Sequence, residues 1–286
     1  MSWTTIDKEL CDGCGFCIVR CPRNYSKQGD DIIANSGVGT CNLCGHCVSL
    51  CEPGAITHHK MDMDNFHDMD TAANFDTETF VQFIRNRRSH RMFKNKQIPR
   101  KDLEFLVDTC RYAPTGSNVQ TVEIIVVENQ DKMKALSDLS VDYFETMGKA
   151  NMEEAKRLEA ESKPVPELIQ RSVNYMGRIT EARSLGMDPI FHRAPAVLVF
   201  HSPKDSSAPE DNCLIASTTM SLVARTMGIE STYIGLFKGP SRNNENIHAE
   251  LDIPMENRIF SVLIMGYPRL KFYRTVDRQP ANVRWE

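Results

Sequence analysis

Eight of the ten cysteines lie within the first 51 residues, where the spacing C-x-x-C-x-x-C-x-x-x-C occurs twice. The two copies consist of Cys11, Cys14, Cys17 and Cys21, and of Cys41, Cys44, Cys47 and Cys51. Three closely spaced thiolates can bind three corners of one iron–sulfur cubane, while the fourth cysteine of the run binds the neighbouring cluster. The spacing therefore predicts two [4Fe-4S] clusters.

Crossed ligation of this kind assigns each cysteine to one cluster. We expect one cluster on Cys11, Cys14, Cys17 and Cys51, and the other on Cys41, Cys44, Cys47 and Cys21. Cysteine pairs also bind zinc, and dense cysteines also form disulfide frameworks. Neither alternative explains the third and fourth cysteines of each copy. The segment resembles bacterial two-cluster ferredoxins over about residues 5 to 57, which implies electron transfer.

Composition limits the class of the remaining chain. At 286 residues and 41% hydrophobic composition, the chain can form a second domain with a substantial core. A net charge of −4 leaves no basic footprint for nucleic acid. The sequence has no apolar run long enough for a membrane helix and no signal-peptide pattern at its start. We expect a cytoplasmic protein, because cluster thiolates require a reducing compartment, and we expect an oxygen-poor setting because of the exposed [4Fe-4S] clusters.

Three segments divide the chain. We predict a two-cluster ferredoxin domain over residues 1–57, a linker over 58–76 and a second domain over 77–286. The linker is rich in Asp, Asn and Met and contains three histidines. Its histidines and aspartates admit interpretation as a metal site, but their irregular spacing favours a solvated connector.

Helical and strand patterns alternate after the linker, which indicates an α+β fold. Short β-branched runs predict strands near residues 123–128, 196–201 and 260–268, in a sheet covered on both faces. Apolar periodicity predicts helices near residues 77–88, 99–114 and 212–227, and polar helices over 131–188. Cys110 and Cys213 lie in helical patterns and are predicted to be buried structural thiols.

Four segments of the second domain carry a resemblance: RRSHRMF at 87–93, APTGSNVQ at 113–120, GIESTYIGLF at 228–237 and GYPRLKFYRTVDR at 266–278. In this order and at these separations they resemble the signature segments of the FMN-dependent nitroreductase family. The resemblance implies a small ferredoxin-like 2×[4Fe-4S] domain followed by an α+β sandwich, in which helices cover a central mixed sheet.

The first of these segments suits a phosphate monoester, which requires arginine forks and hydroxyl donors at one place. Candidate FMN-binding residues here are Arg87, Arg88, Ser89 and Arg91. Considered alone, three arginines in five residues more often form a solvated basic face. The resemblance implies that Arg87 and Ser89 hold the phosphate with Arg274 and Arg278, while Arg91 faces the N1 and O2 edge of the flavin ring.

The second segment offers amide, hydroxyl and backbone groups for the pyrimidine edge of a flavin. Its candidates are Pro114, Thr115, Ser117, Asn118 and Gln120. An ordinary turn is the alternative, since all these residue types except glutamine are common in turns. In the family this loop comes partly from a second subunit, which implies a homodimer. Thr121 and Val122 replace the Pro and Trp that many members carry, which removes contacts that those members make with substrates.

The third segment aligns with a strand end beside the flavin N5 atom. Tyr233, Ile234 and Gly235 are its cofactor-binding candidates, and the Gly235 N–H is the candidate donor to N5. Glycine lets a backbone approach a flat ring closely, although a strand-to-loop glycine can also serve a purely steric purpose.

These features imply an oxidoreductase in which clusters and FMN act in series. The expected acceptor is a nitroaromatic, quinone or similar electron-poor small molecule, and the expected donor is NAD(P)H, a reduced ferredoxin or another redox protein. Two alternatives stay open: a dedicated FMN reductase or dehydrogenase of one metabolite, and a non-enzymatic electron-transfer protein.

Overall fold

The computed structural model describes residues 2–35, 41–69, 76–242 and 244–286. The chain divides into two compact units. The first consists of Met1–Phe75 with Ser117–Val119, and the second of Asp76–Gly116 with Gln120–Glu286. Residues 70–75, in the predicted linker, lie outside the described residues.

The described residues of the first unit form two antiparallel strand pairs, two short α-helices and a 3-10 helix at Met63–Asn65. Strands β1 (Thr4–Ile6) and β4 (Ile56–His58) pair with each other, as do β2 (Tyr25–Gln28) and β3 (Asp31–Ala34). Helix α1 spans Phe16–Arg20 and α2 spans His46–Ser49. Cys17, Tyr25, Ile32 and Ile56 form a small core with several of the motif cysteines. A core of this size needs the additional stabilisation that bound metal provides.

The second unit contains seven helices and four strands in its described residues. The helices are α3 (Thr77–Arg85), α4 (Arg100–Thr109), α5 (Gln130–Ala160), α6 (Glu167–Ser184), α7 (Pro209–Thr226), α8 (Gly235–Ser241) and α9 (Glu245–Leu251). The strands are β5 (Glu123–Val127), β6 (Ala196–Pro203), β7 (Glu230–Tyr233) and β8 (Asn257–Gly266). Their order in the sheet is β5-β6-β8-β7, and every described pairing is antiparallel. The sequence predicted a mixed sheet, and on this detail the structure differs.

Alternating side chains of the sheet enter two separate cores. Val197 and Val199 of β6 face a core formed with α5, α6, α8 and α9, whereas Leu198 and Phe200 face a core formed with α4 and α7. The strand period of two therefore supplies both faces with apolar contacts. This explains why the predicted strands are nearly continuous apolar runs rather than alternating polar and apolar ones.

Helices α5 and α6 cross at a point of very close approach. A Cβ atom added to Gly148 of α5 would lie 2.5 Å from the Cβ of Met176 in α6. Only a residue without a side chain allows the two backbones to come this near. The position of α6, which borders the site described below, thus depends on Gly148.

The last part of the chain has no regular secondary structure. Residues 269–286 are exposed throughout and include Leu270, Phe272 and Trp285. Within the described residues, none of the helices has both the length and the apolar character needed to cross a bilayer.

Candidate functional site

The eight motif cysteines surround two cavities of the first unit. One cavity, called here the polar cluster site, is lined by Cys21, Cys41, Cys44 and Cys47. The other, the apolar cluster site, is lined by Cys11, Cys14, Cys17 and Cys51, and Cys47 lines both cavities. This grouping corresponds to the crossed pairing that the spacing predicts.

All ten cysteines are free thiols. Among the described residues, no three His, Cys, Asp or Glu side chains converge as the ligands of one metal ion would. Each thiolate of a cubane binds a different iron atom, so its four ligands surround a volume instead of meeting at a point. The donor set, four cysteine sulfurs around each cavity, fits a [4Fe-4S] group.

Short helices that begin at left-handed glycines position the central cysteine of each motif. Gly15 precedes α1 with φ of 76°, and Gly45 precedes α2 with φ of 70°. These helices carry Cys17 and Cys47, respectively. The turn that brings each motif around its cavity requires a conformation that glycine adopts readily.

Burial affects the acidity of these thiols. It raises the pKa of Cys17 and of Cys47 above the ordinary value. A buried thiol therefore needs a cation to become the thiolate that binds iron. In the second motif, the Ala55 N–H donates to Cys51 Sγ at 3.2 Å, which is the kind of hydrogen bond that stabilises a charged sulfur.

His58 is a site residue that sequence reasoning missed. It begins the predicted linker, yet it is the last residue of β4 and only 1% exposed. Its Nε2 lies 3.5 Å from Cys41 Sγ. The signal that could have found it is the alternation of Ile56 and His58, which places both on the inner face of a strand.

A separate cavity of about 660 Å³ lies in the second unit. Four of the predicted flavin residues line it: Arg91, Tyr233, Ile234 and Gly235. Helix α6 contributes Tyr175 and Arg178, and the segment after α6 contributes Asp188 and His192. The fold thus brings together residues that are up to 145 positions apart in the sequence.

The arginine-rich loop is fastened to strand β7. His90 N–H donates to Ser231 O at 3.3 Å, and the Thr232 hydroxyl donates to His90 O. The His90 ring also packs edge-on against Phe272, with centroids 5.0 Å apart. These contacts hold the loop so that its next residue, Arg91, borders the cavity.

Charges next to the loop are predominantly positive. Burial, followed by the charges of Arg225 and Arg87, lowers the pKa of His90. Glu230 forms an ion pair with Arg225, and burial raises its pKa despite this partner. A positive, half-buried region beside Arg87 is what a phosphate group requires.

Gly235 leaves open space at the cavity wall. It follows buried Ile234, whose N–H donates to Val262 O at 2.9 Å. A Cβ added to Gly235 would have no atom within 4 Å, and the backbone there does not have positive φ. Neither strain nor packing against the chain itself requires a glycine here. The position fits the close approach of a flat cofactor.

Other predicted residues do not border this cavity. Arg88 Nη1 donates to the carbonyl oxygens of Arg85 and Arg87. The Arg88 guanidinium therefore caps the C-terminal end of α3, whose last residue is Arg85. Arg87 and Ser89 belong to the same loop, and Arg274 and Arg278 lie in the exposed C-terminal segment. The contacts of the described residues therefore do not bring the arginines predicted to bind the phosphate to one place.

The second predicted segment forms a tight turn. Gly116 N–H donates to Asn212 Oδ1 at 2.8 Å, and Gln120 N–H donates to Thr115 Oγ1 at 3.1 Å. Ser117, Asn118 and Gln120 have positive φ, and Pro114 is exposed.

The two remaining cysteines are predicted structural thiols. Burial raises the pKa of both Cys110 and Cys213 to about 12, so they stay protonated.

Comparisons with known proteins agree with this arrangement. Residues 84–267 match the nitroreductase family model, and residues 4–52 match the 4Fe-4S dicluster domain. An Archaeoglobus fulgidus protein named NADH dehydrogenase/NAD(P)H nitroreductase is 25% identical over 207 residues, which cover 70% of this chain and 93% of the relative.

Solved structures show the same fold. A nitroreductase with bound FMN from Desulfitobacterium hafniense has a TM-score of 0.53 at 19% identity, covering 73% of this chain and 100% of that chain. A BluB-like flavoprotein from Clostridium difficile has a TM-score of 0.54 at 15% identity, covering 72% and 96%. The predicted fold class and family are confirmed. The chain is an oxidoreductase that belongs to the nitroreductase family and carries an N-terminal 4Fe-4S dicluster domain.

Proposed function

We propose that this protein is an iron–sulfur flavoprotein that passes electrons from two [4Fe-4S] clusters, or from NAD(P)H, through FMN to an electron-poor acceptor such as a nitroaromatic or a quinone. The observation that carries the proposal is the cavity on which Arg91, Tyr233, Ile234 and Gly235 converge. Membership of the nitroreductase family supports FMN as its cofactor.

Within the cavity, the chain supplies charge and a close backbone surface. Arg91 would hold a positive charge against the pyrimidine edge of the ring, and the Gly235 N–H would donate to N5. Arg87 and Ser89 would bind the phosphate, joined by Arg274 and Arg278. Iron–sulfur clusters transfer single electrons, whereas organic acceptors often take two. When bound, FMN supplies the conversion between one-electron and two-electron transfer.

The clusters are assigned as the spacing predicts. Cys11, Cys14, Cys17 and Cys51 would hold one, and Cys21, Cys41, Cys44 and Cys47 the other. The cavities lined by these sets support the assignment. Ferredoxin-type clusters have low potentials, so electrons would move from the clusters to FMN. A reduced ferredoxin or another redox protein is the corresponding donor. The need for reduced thiols favours the cytoplasm and an oxygen-poor setting.

We also propose a homodimer. Helix α3 has no buried residue, and its Val81 and Ile84 are exposed. On α7, Leu214 and Ile215 are exposed although the opposite side of the helix is buried. Apolar side chains of the C-terminal segment are exposed as well. A second copy would cover these surfaces and could supply Arg274 and Arg278 to the phosphate.

An anaerobic absorbance experiment tests the route of electrons. The flavin band of purified holoprotein is followed after addition of NADH or NADPH and, separately, after addition of reduced ferredoxin. Bleaching by ferredoxin in the presence of both clusters supports transfer through the clusters. Bleaching by a nicotinamide alone assigns the donor role to NAD(P)H. If the purified protein neither contains nor binds FMN, the proposal is overturned.

A second candidate is a dedicated reductase of one metabolite. Tyr175, Arg178 and His192 converge on the cavity beside Arg91, and such convergent polar groups favour a defined substrate. Comparison of kcat/KM for acceptors with and without a carboxylate distinguishes the two candidates. A dedicated enzyme should prefer one class steeply and lose that preference in Arg178→Ala, whereas a broad reductase should show similar values for both.

A further inference from the structure

The two copies of the cysteine motif differ at several equivalent positions, and one of these differences lies beside the cysteines. Four residues after the last cysteine of the copy, the first copy has Tyr25 and the second has Ala55. The Ala55 N–H donates to Cys51 Sγ at 3.2 Å, whereas the Tyr25 N–H donates to the carbonyl oxygen of Cys21 at 3.2 Å. The internal repeat thus places a methyl group in one half and a phenol in the other.

The hydroxyl of Tyr25 is buried near the side chains of Cys47 and Thr4 and makes a hydrogen bond of normal geometry with neither of them. Its side chain is 1% exposed, lines the polar cluster site, and makes no hydrogen bond of normal geometry through its oxygen within the described residues. A buried hydroxyl without an acceptor destabilises the fold, so an acceptor that reaches it is favoured. A sulfur of a bound cluster, or of a cysteine that holds it, is the acceptor that this cavity would supply.

His58 directs a second donor to the same cavity. The main-chain N–H of Lys60 donates to His58 Nδ1 at 3.2 Å. A ring nitrogen that accepts a hydrogen bond carries no proton, so the proton of the neutral ring is on Nε2. That N–H lies 3.5 Å from Cys41 Sγ. His58 and Tyr25 thus offer two donors to one set of cysteines.

Among the described residues, the apolar cluster site has no comparable side-chain donor, and its Cys51 Sγ accepts a main-chain N–H, that of Ala55. Apart from its cysteines, its lining consists of Ile6, Asp12, Phe16, Ile32, Leu50, Ala55 and Ile56. Asp12 is the single polar side chain in this set, and its carboxylate accepts the Cys14 N–H at 3.1 Å. It adds negative charge and no donor. By contrast, Arg20 and His46 line the polar cluster site, where Arg20 Nε donates to His46 Nδ1 at 2.8 Å.

Reduction of a cluster adds one negative charge. Hydrogen-bond donors and nearby cations stabilise this charge, whereas an apolar lining or a carboxylate does not. We propose that Tyr25 and His58 are positioning residues that donate hydrogen bonds to the cluster of the polar cluster site and give it the higher reduction potential of the two. A single electron at equilibrium then resides at the polar cluster site. This inference rests on the proposed pair of [4Fe-4S] clusters.

The test is a potentiometric titration of holoprotein, with each cluster followed by electron paramagnetic resonance. Tyr25→Phe removes only the hydroxyl oxygen, and Tyr112→Phe, at a side chain that is 77% exposed, is the matched control. Loss of one hydrogen bond to a charged acceptor should shift the distribution of an electron between the clusters about tenfold, which is about 59 mV for a one-electron couple. The shift should lower one midpoint potential and leave the other in place.

Cys14→Ala identifies the cluster that shifts. Without the cluster of the apolar cluster site, the remaining signal should still move to a lower potential when Tyr25→Phe is added. If Tyr25→Phe lowers the iron content, His58→Leu provides the same measurement through the second donor. Unchanged midpoints in an iron-replete variant, or equal shifts of both clusters, would overturn the inference. Wild-type protein without two clusters would overturn the proposed function instead.

Discussion

The iron–sulfur unit and the cavity proposed to bind FMN, called here the flavin cavity, place their functional groups in different ways. The cluster cysteines lie between Cys11 and Cys51, and short local turns are sufficient to arrange them. The flavin cavity takes Arg91 from a loop, Arg178 from helix α6 and Gly235 from the first residue of helix α8, so it exists only when the second unit is folded. Local spacing therefore encodes the first site, and tertiary folding creates the second.

The largest expected effect separates the two regions completely. Cys44→Ala removes a ligand of the polar cluster site and should release about four of the eight iron atoms that two [4Fe-4S] clusters contain. FMN content should not change, because the flavin cavity is built from the second unit alone. Iron and flavin analysis of the purified variant measures both quantities.

Cys110→Ala is the matched control for this variant, since Cys110 lies on a helical segment of the second unit and donates to main-chain carbonyls. It should retain both iron and FMN. Loss of flavin together with iron in Cys44→Ala would show that the two sites depend on each other.

Gly235→Val should weaken FMN binding about 100-fold, or about 2.8 kcal/mol. The Cβ of the added side chain would lie in the open space at the cavity wall, with no atom of the chain within 4 Å. Titration of apoprotein with FMN, followed by flavin fluorescence, gives the dissociation constant. Gly239→Val is the control, because Gly239 belongs to the same helix, has equally open space and does not line the cavity. Equal affinities for the two variants would contradict the assignment of Gly235.

Arg87→Ala should weaken FMN binding about tenfold to 100-fold, the range for one hydrogen-bonded charge pair with a phosphate. The same titration measures the effect. Arg85→Ala removes a neighbouring exposed arginine from the last turn of α3 and should leave affinity unchanged. A riboflavin titration sharpens the result, since riboflavin has no phosphate and should bind both variants alike. Normal FMN affinity in Arg87→Ala would remove this residue from the phosphate site.

Gly148→Ala should have the smallest effect on chemistry. The added methyl group overlaps Met176, so α6 must move and the free energy of unfolding should fall by about 1–3 kcal/mol. Because α6 carries Tyr175 and Arg178, KM for the acceptor should rise a few-fold while FMN content stays constant. Gly177→Ala on α6 meets no atom within 4 Å and is the control. Identical KM values would show that α6 does not shape the acceptor side of the cavity.

Sequence patterns predicted strands β5, β6 and β8 and the longer helices of the second unit, because strand and helix periods follow from which face is buried, but they did not predict the short helices α8 and α9. The runs that became β6 and β8 are apolar at nearly every position, and the sheet is indeed covered on both sides. The relative directions of the strands were harder to predict from the sequence. Whether neighbouring strands run parallel depends on connections of very different length, and apolar content does not encode it.

The flavin residues show a similar limit. Arg91 and Gly235, which the resemblance placed beside one flavin, both line the cavity, but sequence spacing did not indicate that Arg178 and His192 would border the same cavity. Their place depends on the path of α6 and on a turn after it in which His192 and Arg193 have positive φ. Backbone conformations of this kind are rare for residues other than glycine, so no local sequence pattern predicts them.

Asp188 has a consequence for how acceptors reach the flavin cavity. Its carboxylate accepts hydrogen bonds from the Ser137 hydroxyl and from the main-chain N–H groups of Ile190, Phe191 and Arg193. Arg91 and Arg178 have no ion-pair partner among the described residues, so the entrance carries more positive than negative charge. Anionic acceptors should be captured faster at low ionic strength, with kcat/KM falling as salt shortens the reach of the two guanidinium groups.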